Sequence, residues 1–431
     1  MVPIPTTWRI LMFSCISLVL ACIFFCNAWL NRRMSTVICT LGLPCGWVAF
    51  DLASSRLSPG GTWASIAYTF SDDLYLAQLA SLGGWTAITF VSTWFAALVV
   101  WIWNRLHSGE QIRSGLVALA VVAVSVICYG FGRLQWMPGT TPIRIATVVA
   151  PKTFDNANIN ELFAYTRGIK TNEESRQRAQ ERILASIEEH FAMLESTLNQ
   201  KPKMVLWPEA NAIMTATEEP SFLQRASKFA KENDVYVGMG YVVFQPGTGN
   251  GSLNKFTLLS PNGEILIDFL KATRVPGSMN EKGDGILPAV DCEIGRLSAA
   301  ICFDLDFPHL IAQAGAVSTE LFLAPSNDWE EAQDTHARMA RLRAIEQGFS
   351  LVRPTKDGTT LVCDSVGRKI ASVNIADNRT GMLVVEVQPG NLWSVYSAIG
   401  DLFAWTCSII FPSLCLVAGL RGRQGSIPSM Q

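Results

Sequence analysis

The chain has 431 residues and little charge: Asp, Glu, Lys and Arg make up only 16% of it. A typical soluble chain carries about 25%, so part of this one is expected in lipid. The net charge of -2 offers no basic face, which argues against nucleic-acid binding. Only four histidines occur (His107, His190, His309 and His336), scattered and without the spacing of a zinc helix. Cys-x-x-Cys pairs are missing too, so neither a metal nor another cofactor is expected. No internal repeat or long low-complexity segment is seen.

Apolar residues are plentiful, at 49%. Eight of the 11 cysteines sit in apolar runs (Cys15, Cys22, Cys26, Cys39, Cys45, Cys128, Cys407 and Cys415), where a thiol behaves as a small hydrophobe. Cys292, Cys302 and Cys363 remain in the polar middle of the chain. Five stretches could cross a bilayer, which takes roughly 20 apolar residues in helix. They are Ile10–Leu30, Met34–Phe50, Leu79–Trp103, Leu116–Phe131 and Leu402–Leu420. The first run is too long for a signal-peptide core and lacks a small-residue cleavage site.

The loops predict an orientation. Asn31-Arg32-Arg33, the Arg105–Arg113 loop and the pair Arg421 and Arg423 fall on one side if the spans alternate. The basic side is cytoplasmic by the positive-inside rule. The large middle region is then outside the cytoplasm. Trp101, Trp103, Trp136 and Trp405 near the span ends fit an interfacial belt. The chain divides into a membrane region at 1–140, a catalytic domain at 141–392, and a final span with a basic tail at 393–431.

The middle region reads as α/β. Strands are expected at Ile143–Val149, Met204–Trp207, Val235–Val243, Phe256–Leu259, Ile265–Phe269, Leu297–Ile301, Leu361–Asp364 and Lys369–Val373. Helices are expected at Asn172–Leu198, with Thr171 as N-cap, at Phe222–Glu232 and at Thr335–Ile345. Three of these strands run into a reactive residue: Glu209 after Trp207-Pro208, Lys271 after Phe269-Leu270, and Cys302 after Ala300-Ile301.

The three side chains make a coherent set. A thiol attacks only as thiolate, so a base or a cation must help it. Glu209 could take its proton and return it to the leaving group. Lys271 could lower the thiol pKa and face the oxyanion. The Phe303 amide is the expected second oxyanion donor. Read singly, each has a plainer explanation: core thiol, surface acid, solvated amine. Cys292, Cys363 and His336 read as structural. Arg341, Arg343 and Glu346 read as an internal salt bridge to the sheet, and Asn327 and Trp329 as pocket wall or loop framework.

In this order the residues resemble the nitrilase, or carbon–nitrogen hydrolase, superfamily. The resemblance is carried by Trp207-Pro208-Glu209-Ala210, by Asn254 through Pro261-Asn262-Gly263 to Lys271, and by Ala300-Ile301-Cys302-Phe303-Asp304. More narrowly the chain resembles the membrane branch, the apolipoprotein N-acyltransferase family. That likeness adds Val275-Pro276 after Lys271, Ser326-Asn327-Asp328-Trp329, the stretch from His336 to Glu346, and Arg353-Pro354-Thr355. Gln78 through Gly84 matches a family span, so the likeness runs from about Met34 to Leu420.

The fold this implies is an αββα sandwich inserted between transmembrane helices. The implied catalytic residues are Glu209, Lys271 and Cys302, with Phe303, Asp304, Asn327, Trp329 and Glu281 supporting or binding substrate. The implied reaction moves a fatty acyl chain from phospholipid, through a Cys302 thioester, to the N-terminal amine of a lipoprotein. Water as acceptor would give an amidase instead, and loss of turnover a lipid-binding scaffold. The sequence departs from the family pattern in three places. Gly277-Ser278-Met279 intervenes before Glu281, Phe303 and Asp304 stand where Tyr and Glu are usual, and upstream spans are fewer.

Overall fold

The computed structural model describes residues 6–63, 65–137, 139–149, 173–245, 251–278, 280–374 and 381–424. Two compact units emerge, Met1–Trp136 with Ser394–Gln431, and Met137–Trp393. Thr171 and Asn172, expected at a helix start, lie outside the described residues, as does Met279.

The first unit is helical. Its elements are α1 (Thr6–Arg33), α2 (Gly42–Leu57), α3 (Leu74–Ala77), α4 (Ala80–Gly83), α5 (Trp85–His107) and α6 (Arg113–Leu134). The second unit contributes α7 (Glu173–Thr197), α8 (Glu219–Asn233), α9 (Pro308–Ala316) and α10 (Gln333–Gln347). The chain then returns to the first unit through α11 (Val395–Ile399) and α12 (Leu402–Gln424). Among the described residues five segments are long and apolar enough to cross a membrane: Ile10–Arg33, Val37–Leu57, Trp85–His107, Arg113–Leu134 and Leu402–Leu420.

Within this unit α2 is central and packs on α1, α5 and α12. The third span begins at Trp85, not at Leu79. Gly84 stops the preceding turn with φ 67, and a Cβ there would meet the Tyr396 ring at 2.6 Å. Arg105 ties two loops together at one end of the bundle. It donates to the Ser35 carbonyl after α1 and, at 3.3 Å, to the Gln111 carbonyl before α6. The first two basic loops therefore share one end. Arg56 at the end of α2 pairs with Asp401 just before α12. Trp103 and Trp405 are exposed as an interfacial belt needs, but Trp101 is buried, with Arg105 stacked 4.4 Å from its ring.

The second unit is built on two sheets. The first joins β1 (Ile143–Val149), β2 (Met204–Leu206), β3 (Ala212–Thr215), β4 (Tyr236–Phe244), β5 (Leu253–Leu259) and β6 (Ile265–Leu270). The second starts with β7 (Val290–Cys292), β8 (Gly295–Ala299) and β9 (Leu321–Leu323). A short β10 (Ser326–Asn327) follows, then β11 (Ser350–Arg353), β12 (Thr355–Lys356), β13 (Thr359–Cys363) and β14 (Lys369–Asn374). The last strand, β15 (Gly381–Val387), joins the first sheet beside β1. The orders are β15-β1-β2-β4-β5-β6, with β3 on β4, and β14-β13-β11-β9-β8-β7; β10 pairs with β12.

Facing residues of the two sheets, such as Leu206, Phe256, Leu297, Leu321 and Leu351, form one core. A second core lies under α7 and α8, from Ile183, Phe191, Phe222 and Ala226 against Val205, Trp207 and Val237. With α9 and α10 on the second sheet the layers are αββα. The inner strands are parallel and buried on both faces, so they read as continuous apolar runs rather than alternating ones.

Candidate active site

The three reactive residues leave strands of two different sheets. Glu209 follows β2 and Lys271 follows β6 in the first sheet, whereas Cys302 follows β8 in the second. Here β8 ends at Ala299 rather than Ile301, and Cys302 opens a short 3₁₀ turn, Cys302–Asp306. The strand β10 joins the two sides. The Glu209 amide donates to the Ser326 carbonyl at 3.3 Å, and the Cys302 amide to the Pro325 carbonyl at 3.0 Å. Glu209 and Cys302 therefore hang on consecutive residues of one extended segment.

Two backbone conformations mark the site. Cys302 has φ 49 and Ala210, next to Glu209, has φ 51. Non-glycine residues rarely adopt this left-handed region, and it clusters at functional sites. Gly240 on β4 lets the Glu209 loop sit close. A Cβ there would stand 2.2 Å from the Pro208 carbonyl oxygen and 2.9 Å from Glu209 Cα.

Glu209 and Lys271 form a buried ion pair, Nζ to Oε1, at 2.5 Å. Asn254 Nδ2 donates to the same Oε1 at 2.6 Å. Among the described residues no hydrogen bond reaches Oε2, so that oxygen can accept a proton. Asn254 and Lys271 lie on the two strands of one hairpin, with the Lys271 amide donating to the Asn254 carbonyl at 2.9 Å. A bulge sets this register: Leu258 pairs with Ile267, but Leu259 pairs with Ile265, leaving Leu266 as the extra residue.

Burial pulls the Lys271 ammonium down, but the Glu209 carboxylate outweighs it and holds the amine above its ordinary range. Burial pushes the Cys302 thiol well above its ordinary value of 9.0, and the Glu209 charge adds to this. Lys271 lowers it, as expected, but does not prevail over burial and Glu209. The resting site holds a neutral thiol beside a carboxylate–ammonium pair. Such a thiol needs a base during attack, rather than waiting as a thiolate.

Around this trio the other expected residues take definite places. The Phe303 amide has no acceptor among the described residues, as an oxyanion donor requires, while its ring packs edge-on to Phe307. Asp304 is fully buried and is a tie rather than a pocket wall. Its carboxylate accepts from the Ile301 amide at 3.0 Å and from the Thr273 amide at 2.7 Å, joining the nucleophile turn to the Lys271 loop. Burial raises the Asp304 pKa, with Lys271 opposing it. Asn327 meets Cys302 through its backbone: its carbonyl lies 3.7 Å from Sγ. The Trp329 ring stands edge-on to His336 at 5.4 Å. Glu281 is partly buried, its amide bonded to the Ser252 carbonyl at 2.9 Å, and its Oε1 is buried without a hydrogen-bond partner.

Sequence reasoning missed the ion network on the other side of the thiol. Arg353 Nη2 donates to both oxygens of Asp328 at 2.8 Å each. His336 Nδ1 lies 2.8 Å from the same Asp328, and Nε2 lies 3.3 Å from Asp306. Burial works against the imidazolium, yet Asp306 and Asp328 prevail and lift His336 to about 9. Burial also raises Asp328, but the charge of Arg353 outweighs it and holds the acid below its ordinary value. Cys302, Asp328 and His336 offer donor atoms within 4.8 Å of one another. Asp328 and His336 of that set are already engaged with each other and with Arg353 and Asp306 as an ion network. No signal in the sequence set these residues apart, because Asp328 and His336 stand among Glu330, Glu331, Asp334 and Arg338. Arg343 pairs at 3.0 Å with Glu346 of its own helix, and Arg341 donates to the Gly367 carbonyl at 2.5 Å. Arg343 thus pairs along α10, while Arg341 reaches the turn between β13 and β14.

Residues 171–395 match the family described as Carbon-nitrogen hydrolase. The chain belongs to that family. Residues 1–98 match a second description, Apolipoprotein N-acyltransferase N-terminal domain, which places this carbon–nitrogen hydrolase in the membrane branch. It is similar to the apolipoprotein N-acyltransferase of Geobacter metallireducens, 26% identical over 90% of this chain and 75% of that one. The Haemophilus influenzae protein of the same name is 21% identical, over 85% and 72%. An amidase from Nesterenkonia sp. is 16% identical, with a TM-score of 0.43 over 59% of this chain and 93% of its own. The family member described here is an N-acyltransferase-type enzyme of the nitrilase superfamily.

Proposed function

We propose that the protein transfers a fatty acyl chain from a phospholipid to the free N-terminal amine of a lipoprotein. The observation that carries this reading is the joining, in one chain, of a Glu–Lys–Cys site to the helical domain typical of apolipoprotein N-acyltransferases. An acyl donor that lives in a bilayer gives a membrane region a purpose that a water-soluble amide would not.

The proposed reaction has two steps. In the first, Glu209 Oε2 takes the Cys302 proton as Sγ attacks the ester carbonyl. The Phe303 amide and the Lys271 ammonium face the oxyanion. The intermediate collapses, the ester C–O bond breaks, and Glu209 returns the proton to the departing lysophospholipid. In the second, the acceptor amine attacks the thioester and gives its proton to Glu209. The C–S bond breaks, the amide is formed, and the thiol is restored. Asn254 and Lys271 hold Oε1, so that Oε2 faces the exchange. Asp304 keeps the thiol turn and the lysine loop in register. The site needs no cofactor for either step.

The basic ends of α1, α5 and α6 support a cytoplasmic placement of those loops and a non-cytoplasmic placement of the catalytic unit. In a bacterium that is the periplasmic face of the inner membrane.

The test uses the full chain in vesicles of phosphatidylethanolamine and phosphatidylglycerol. Intact mass should show one acyl adduct, absent in Cys302→Ala, and discharged by a synthetic peptide bearing an S-diacylglyceryl cysteine. Hydrolysis of small amides with no adduct from lipid would replace this reading by an amidase. Neither activity would leave a scaffold.

A further inference from the structure

The membrane unit carries a cleft that the acyl-transfer reading does not use. It lies between α5 and α6 and has a volume of about 510 Å³, within the ordinary range for small-molecule sites. Gln111, Arg113 and Ser114 line one end, and Trp94, Val117 and Val121 line the wall below them. Arg113 makes no ion pair or hydrogen bond with any described side chain. The nearby acid in sequence, Glu110, is already paired with Arg105 at 3.0 Å. The Trp94 indole is held in place by its bond to Thr40 Oγ1 at 2.9 Å.

We propose that this cleft holds one anionic bilayer phospholipid, with its phosphate on Arg113, Ser114 and Gln111 and an acyl chain along Val117 and Val121. The charge is complementary, since among the described residues no acid lines the cleft and Arg113, its one cation, has no ion-pair partner. The wall demands an amphiphile. Val117 and Val121 are exposed on a helix long and apolar enough to cross a membrane, so a free anion would leave that surface unused. Basic pockets between membrane helices are recurrent sites for anionic head groups.

This lipid is distinct from an acyl donor to Cys302. Arg113 is the first residue of α6, and the second unit begins only after its last turn, at Met137. The 22 residues of α6 rise by ~1.5 Å each, so its two ends are about one bilayer core apart. The cleft therefore opens in the leaflet opposite to the one where α6 hands the chain on.

The experiment is native mass spectrometry of the full chain in detergent, with phosphatidylglycerol or phosphatidylcholine added. The wild type should retain one phosphatidylglycerol, about tenfold more readily than phosphatidylcholine. Arg113→Gln should abolish that preference, and Ala118→Trp, which fills the wall, should reduce retention of both lipids. Arg32→Gln, at the same end of the bundle but outside the cleft, should retain the lipid as the wild type does. Inorganic phosphate should not compete. The proposal is overturned if Arg113→Gln keeps the preference. It is equally overturned if Arg32→Gln loses it to the same extent, which would mean diffuse surface charge, or if phosphate alone displaces the lipid.

Discussion

Glu209→Gln is expected to make Cys302 more acidic while nearly abolishing turnover. The substitution keeps the side-chain volume but removes the negative charge that, after burial, does most to raise the thiol. It also leaves the Lys271 ammonium, whose pairing distance was 2.5 Å, without its carboxylate. Both changes favour the thiolate. A charge within contact range typically moves a titration by ~1–3 pH units. At fixed pH the thiolate fraction should therefore rise ~10-fold to ~1000-fold, each pH unit being tenfold. Acyl transfer should fall by ~10²–10⁴, the usual loss when a general base is removed. Breaking a buried pair costs ~3–5 kcal/mol, and a thiolate partner for Lys271 offsets part of that. The assay is the pH profile of Cys302 alkylation by iodoacetamide, read by intact mass. The informative quantity is the midpoint rather than the rate, because Glu209 can also assist alkylation as a base. A midpoint in Glu209→Gln equal to or above that of the wild type would refute the electrostatic account of the site.

Other outcomes follow from the same geometry. Gly240→Ala should displace the Glu209 loop and lower acyl transfer by ~10², the scale of a 1 Å misplacement, with helix content unchanged by circular dichroism. Because the folded His336 titrates at about 9 against an ordinary 6.5, its stabilisation is complete below 6.5 and is lost as pH rises through 9. The gap is worth ~3 kcal/mol. Urea unfolding between those pH values should show that slope in the wild type and not in His336→Gln; identical slopes would remove His336 from the account. A cysteine placed at Asn250 should resist a reagent confined to the cytoplasmic face, and labelling there would invert the proposed orientation.

Much of the site was legible because each reactive residue stands where a buried strand stops. Val205-Leu206-Trp207 and Ala299-Ala300-Ile301 are apolar runs, and the sudden arrival of Glu209 or Cys302 is visible without any fold. The five membrane segments were equally plain, since ~20 apolar residues leave few alternatives. What failed did so for physical reasons. The third span was read through Gly84 because only a contact with Tyr396, hundreds of positions away, enforces the break. Short strands such as β9, Leu321–Leu323, and β11, Ser350–Arg353, were missed because three or four residues carry no measurable period. The helix α9 was missed because Pro308 looks like a breaker, whereas at the first helical position proline is favourable. The network of Asp328, His336 and Arg353 was invisible because charged residues read as solvated until the fold buries them.

The extra residue in β6 has a consequence for how members of this family are compared. With Leu266 bulged out, Asn254 stands opposite Lys271, and both side chains reach Glu209 from the same face of the hairpin. In an unbulged ladder Asn254 would oppose Leu270, and Lys271 would point to the other face. Closing the bulge at unchanged chain length would leave every recognisable motif in place, in order, in a chain that still folds. Such a chain would pass any inventory of catalytic residues and yet be inert, so strand phase belongs beside residue identity in judging which relatives are active.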